Sequence, residues 1–132
     1  MREQREPYVA LWLRQAEEDL GAAAALLEDE AGPPRLACFL AHLAAEKSIK
    51  ALLVAAGRPV PKIHDLAELV RGLPPSLQEQ LDRRELETLT PWAIAGRYAD
   101  DLAETDATTA RFLLQAAGRV LEVARASIGA EG

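Results

Sequence analysis

The chain has 132 residues, with 15 Lys and Arg against 21 Asp and Glu and a formal net charge of -6. That length suits one domain, read here as residues 1–132 with its core over about 8–128, and it is enough for a core without covalent staples. The acidic balance argues against a broad basic surface for duplex DNA, and the single cysteine, Cys38, excludes an internal disulfide framework. Ala and Leu supply 47 residues, and Phe, Trp and Tyr together only six, which favours helices over strands. The longest uncharged apolar stretch, Leu36 to Ala45, has ten residues, whereas a membrane-spanning helix needs about 20. Met1 to Tyr8 is charged and has no signal-peptide core. The expectation is a soluble cytoplasmic protein.

The first helix is expected over about Pro7 to Asp29. Val9, Leu13, Ala16, Leu20, Ala23 and Leu27 recur at three- and four-residue steps as one apolar stripe, and Pro7 suits a first turn, where its missing N–H costs nothing. Gly32-Pro33-Pro34 ends that element. The second helix runs from about Pro34 to Ala56 and stops at Gly57. Ala37, Ala41, Ala44, Ser48 and Leu52 make a small-residue stripe that lets another helix approach closely. Leu36, Leu40, Leu43 and Ile49 make a neighbouring one, so the apolar arc is wide enough for a central helix.

A Pro-rich connection, Arg58 to His64, leads to a short helix opening at His64-Asp65-Leu66 and ending near Gly72. Ser76 with Glu79 has capping-box spacing, which predicts a helix over about Leu77 to Leu89, broken by Pro91. Trp92 to Leu102 reads as loop with a helical turn. The last long helix is expected from Thr105 to about Ile128, with Phe112, Ala116, Val120, Val123 and Ser127, flanked by Leu113 and Leu121, facing inward. No strand pattern and no internal repeat is present. The fold class is therefore all-α: an up-and-down four-helix bundle with one or two short extra helices.

The residues from Ala37-Cys38-Phe39 through Ala44-Ala45-Glu46-Lys47-Ser48-Ile49-Lys50-Ala51-Leu52-Leu53 resemble the second helix of the HEPN domain family, small helical proteins of bacteria and archaea. Trp12, Ala16, Asp19 and Leu20 match its first helix. Pro61 with His64-Asp65-Leu66, and later Arg97-Tyr98, match its loop signatures. The resemblance implies a bundle that usually dimerises and that often partners a minimal nucleotidyltransferase encoded next door, in toxin–antitoxin pairs among other settings. The family name proposes nucleotide binding. Many relatives are metal-independent ribonucleases carrying Arg, four to six residues, then His near the start of the last long helix. This chain departs from that pattern. Its two histidines, His42 and His64, are both early, and no His follows Arg97. Arg35 to His42 and Arg58 to His64 satisfy the spacing, but not at the family's position. Cleavage by 2′-OH attack needs a proton acceptor and donor near neutral pH, usually His.

His42, Glu46 and Lys50 fall at four-residue steps on one helical face, with Lys47 beside them; Lys47 and Lys50 are two of only three lysines in the chain. One reading is a Glu46–Lys50 surface pair worth about 0.2–0.5 kcal/mol. A second is a polar seam facing a groove or partner, its lysines meeting phosphate. The third is a metal site, although a di-iron bundle would need paired Glu-x-x-His motifs and neither His has a Glu three residues before it. His64 is read as bonding backbone at the start of its helix or as lining the family groove, and Asp65 as a helix-start residue. Arg97 and Tyr98 are read as functional loop residues, Arg97 suited to phosphate or carboxylate or, alternatively, to a salt bridge with Asp100, Asp101 or a seam glutamate. Trp12 and Trp92 read as core or interface anchors, and Cys38 as a small buried hydrophobe. The nucleotide- or partner-binding set is thus His42, Glu46, Lys47, Lys50, His64, Asp65, Arg97 and Tyr98. No catalytic residue, metal or cofactor is assigned. The expected function is a non-catalytic homodimer that partners a minimal nucleotidyltransferase, with nucleotide as a candidate ligand. The alternatives are a divergent metal-independent ribonuclease and a purely structural dimerisation bundle.

Overall fold

A computed structural model describes residues 2–28, 32–94 and 105–131. The described residues form an all-α bundle: α1 (Arg2–Glu28), α2 (Pro34–Ala55), α3 (Leu66–Val70), α4 (Pro75–Gln78), α5 (Arg83–Leu89), a 3-10 turn (Thr90–Ile94) and α6 (Ala107–Glu131). None of these helices is long and apolar enough to cross a membrane.

α2 is the hub. Ala37, Ala41, Ala44, Ala45 and Ala51 are fully buried, and so are Ile49 and Leu53. Short side chains along one helix let neighbouring backbones come close. α1 covers one flank with Val9, Ala16, Ala23 and Leu27, all buried as the periodicity requires. The pairings Asp19–Lys47 and Trp12–Lys50 run in opposite chain directions, so α1 and α2 are antiparallel. α6 covers the other flank. Arg125 donates from Nε to Glu17 on α1 (3.1 Å) and Arg119 from Nε to Glu85 on α5 (3.0 Å). Both are exposed pairs that fix register more than they stabilise.

Between α2 and α6 the third limb of the bundle is broken into short pieces. The expected helix over Leu77–Leu89 is instead α4 and α5, and Ser76 lies inside α4 rather than capping a longer element. The effective cap is Asp82, whose Oδ1 accepts from Arg84 N (2.9 Å) and Glu85 N (3.4 Å). Gln78 donates to the Leu73 carbonyl (2.7 Å) and folds the single turn of α4 back on its own entry. Two further boundaries differ. α1 begins at Arg2, so Pro7 lies in its second turn, where it forgoes one backbone bond. α6 begins at Ala107, because Asp106 accepts from Thr109 N (2.8 Å) and caps it. Within α6 the buried arc is Ala110, Leu113, Ala116, Ala117, Val120, Leu121 and Ala124, whereas Phe112 is 48% exposed. It stands about 100° round the helix from Leu113, at the edge of that arc. Leu36, placed at the start of α2 before the bundle closes over it, is also exposed.

Gly57 ends α2 with φ 71°. Arg58 N donates to the Leu53 carbonyl (2.9 Å) and Gly57 N to that of Val54 (3.0 Å), the two bonds of a Schellman motif. A Cβ at position 57 would collide with the Arg5 guanidinium. Gly57→Ala is therefore expected to lose about 1–2 kcal/mol from the left-handed backbone alone, read as a lower urea midpoint at unchanged m-value.

Candidate functional site

The polar group at the centre of the bundle is Glu46. It is 4% exposed, on the face of α2 that meets the third limb. Its neighbours at one turn on either side are His42, fully buried, and Lys50, 9% exposed. Helical geometry brings i and i+4 together, so His42 Nε2 donates to Glu46 Oε1 (3.0 Å) and Lys50 Nζ to Oε2 (3.0 Å). The connection after Gly57 then returns His64 to the same carboxylate, where its Nδ1 donates to Oε1 (2.8 Å). The other ring nitrogen of His42, Nδ1, donates to the Leu89 carbonyl at the end of α5 (3.0 Å). Lys50 also lies over the Trp12 ring, 5.5 Å from its centroid, a cation–π contact that uses the half-buried indole of α1. The cluster thus ties α1, α2, the 58–65 connection and α5 through one carboxylate.

Burial raises the pKa of Glu46, but the hydrogen bonds from His42, His64 and Lys50, together with the Lys50 charge, outweigh it and hold the carboxyl down at about 2. Glu46 is an anion at neutral pH, and an anion only accepts. Both ring nitrogens of His42 therefore face acceptors, the Leu89 carbonyl and the Glu46 carboxylate.

The remaining candidates divide. Lys47 turns the other way and donates to Asp19 Oδ2 (2.7 Å), joining α2 to α1 outside the Glu46 cluster. Asp65 caps α3 by accepting from Glu68 N (3.2 Å), the helix-start role. Its neighbour Leu66 N donates to Thr90 Oγ1 (3.2 Å), which holds the connection on the 3-10 turn. The imidazole of His64 bonds the Glu46 side chain rather than backbone, because Asp65 already supplies the helix-start acceptor, and it stays half exposed. Arg97 and Tyr98 lie outside the described residues. Cys38 is fully buried, and burial, with the nearby Asp106 charge, pushes its thiol up to about 11. At neutral pH it is an inert thiol. Sequence spacing identifies the His42–Glu46–Lys50 row. The Leu89 carbonyl, the Trp12 ring beneath Lys50 and the Asp19 partner of Lys47 have no local signal, since each comes from another element.

One nitrogen from each histidine and one Glu46 oxygen lie within 4.8 Å of one another, the only such trio of His, Cys and acidic groups among the described residues. The arrangement can hold a proton network or a cation.

The fold and this cluster define a class: a small antiparallel helical bundle with a buried His–Glu–Lys row on its central helix. The HEPN domain model matches residues 9–127, and the chain belongs to the HEPN domain family. It is similar to the crystal structure of ST0689, an archaeal HEPN homologue, at 27% identity and TM-score 0.70, over 91% of this chain and 97% of that one. It is similar also to the crystal structure of TT1696 from Thermus thermophilus, at 28% identity and TM-score 0.71, over 89% and 96% of the two chains. No curated protein matches the chain.

Glu46→Ala should destabilise the fold by about 3–5 kcal/mol, because it leaves buried cations without their counter-charge. Glu46→Gln should cost less, since an amide can donate to a neutral His42 and still accept from Lys50. The carboxyl has a depressed pKa, so its stabilisation is complete above its ordinary value of 4.5 and is lost as pH falls toward about 2. Urea titrations from pH 6 to pH 2 should show that loss in the wild type and a flatter profile in Glu46→Gln.

Proposed function

We propose that this HEPN protein is a non-catalytic homodimer that partners a minimal nucleotidyltransferase, with a nucleotide as candidate ligand of the assembly. The observation that carries the non-catalytic reading is the commitment of both histidines to Glu46. Among the described residues no arginine bonds either ring, and His42 has no exposed surface from which to take a substrate proton. A ribonuclease of this family pattern needs an Arg and a His presented together near the last helix, and the chain has no His after position 64.

Assembly is supported by apolar side chains left in water on the long helices. Tyr8 is 62% and Leu11 39% exposed, one turn apart on α1, and Phe112 is 48% exposed on α6. Such residues are suited to cover by another chain. The Lys50 ammonium, held between Glu46 and Trp12, is occupied inside the bundle, whereas His64 is half exposed and open to a nucleotide contact.

Co-expression with a minimal nucleotidyltransferase from the same genome tests this reading. The expected result is a stable complex on size exclusion, a dimer mass for this protein alone by light scattering, and no cleavage of RNA in EDTA. RNA cleavage that disappears in His64→Ala would favour the divergent ribonuclease. A monomer that binds no partner would contradict the proposal.

A further inference from the structure

We propose that His42 Nε2, Glu46 Oε1 and His64 Nδ1 form a three-ligand site for one divalent transition-metal ion of the Zn2+ class. The inference stands on the geometry of the cluster and does not rest on the partnership above.

The first reason is the ring of His42. Its Nδ1 donates to the Leu89 carbonyl (3.0 Å), the arrangement by which metal-ligating histidines are oriented and by which the opposite nitrogen is left as the ligand. That opposite nitrogen, Nε2, points at an ionised carboxylate oxygen 3.0 Å away. Two acceptors at this distance need a positive centre between them. A divalent cation supplies one. The second reason is His64. Its Nδ1 converges on the same oxygen, Oε1, at 2.8 Å, so two imidazoles flank one carboxylate oxygen. The donor atoms lie within 4.8 Å of one another, and tetrahedral zinc with bonds of about 2.0–2.1 Å wants about 3.3 Å between ligands. Closing the gap takes a small movement, which His64 can supply because it sits half exposed on the 58–65 connection.

The donor set selects the ion. Two imidazoles and one carboxylate suit zinc and its first-row neighbours and fit poorly with Ca2+ or Mg2+, which prefer all-oxygen shells. Three protein ligands with the third at the surface leave a fourth position for water. Glu46 Oε2 stays with Lys50 Nζ (3.0 Å), so the ligating carboxylate keeps a hydrogen-bonded partner. The Lys50 charge opposes the ion, which places affinity below that of closed four-ligand structural sites. A bound ion would clamp the 58–65 connection to α2 and thereby brace Asp65 and α3.

The test is calorimetric titration of the metal-stripped full chain with ZnCl2 at neutral pH, with thermal unfolding in parallel. The expected result is saturation at one ion per chain with micromolar or tighter affinity, and a rise in Tm that EDTA reverses. His64→Ala removes an exposed ligand without opening the core. It should keep the metal-free helical spectrum and cooperative unfolding of the wild type while binding Zn2+ at least tenfold more weakly. No saturable binding by the wild type, or equal binding by the wild type and His64→Ala, would overturn the site.

Discussion

An ionised carboxylate taken out of water costs several kcal/mol unless hydrogen bonds and opposite charge surround it. At Glu46 the bundle meets that demand from three directions. His42 and Lys50 come from the same helix, one turn below and one turn above. His64 comes from the connection beyond Gly57. The third limb enters through the Leu89 carbonyl, which fixes His42 from the far side, and α1 enters through Trp12, under the Lys50 ammonium. A change in any one of these elements leaves a buried charge short of a partner, so one side chain links the positions of four parts of the chain.

The packing around it explains why the cluster can sit so deep. α2 is lined by alanines that are wholly buried, and their small volume lets α1 and α6 close on both flanks while the polar row faces the interrupted limb. That limb is short helices rather than one rod because its sequence offers successive caps. Asp65 caps α3 and Asp82 caps α5, with Pro74 and Pro75 between them. The irregularity has a structural use: a straight helix would not turn both the Leu89 carbonyl and the His64 ring toward the same point on α2.

Much of this is legible in the residues, and the limits have physical reasons. The stripe Val9, Ala16, Ala23, Leu27 and the alanine row of α2 are periodic, and periodicity survives into structure because burial selects it. Gly57 marks the end of α2 because the left-handed backbone that closes a Schellman turn favours glycine. The capping-box spacing of Ser76 and Glu79 misleads, because Asp82 offers a carboxylate to two amides further along and wins the competition for the helix start. Of the expected inward stripe of α6, Ala116 and Val120 are buried with the flanking Leu113 and Leu121, whereas Phe112 is exposed and Val123 and Ser127 are only half-buried at the edge of the arc. At the site, His42, Glu46 and Lys50 are readable as a row, since four-residue spacing is local. What surrounds the row is not local: Leu89 lies 47 residues from His42, and His64 lies 18 from Glu46.

In this member of the HEPN family both histidines are bound to one buried glutamate, so the polar residues of the central helix are committed first to holding the bundle together. The central claim is that Glu46 is a buried anion held by both histidines and Lys50. The most direct measurement is the carbon-13 shift of the Glu46 side-chain carboxyl, followed from pH 7 to pH 2. A carboxylate shift retained well below the ordinary value of 4.5 is the predicted result. A carboxyl that titrates at or above 4.5 would contradict the account.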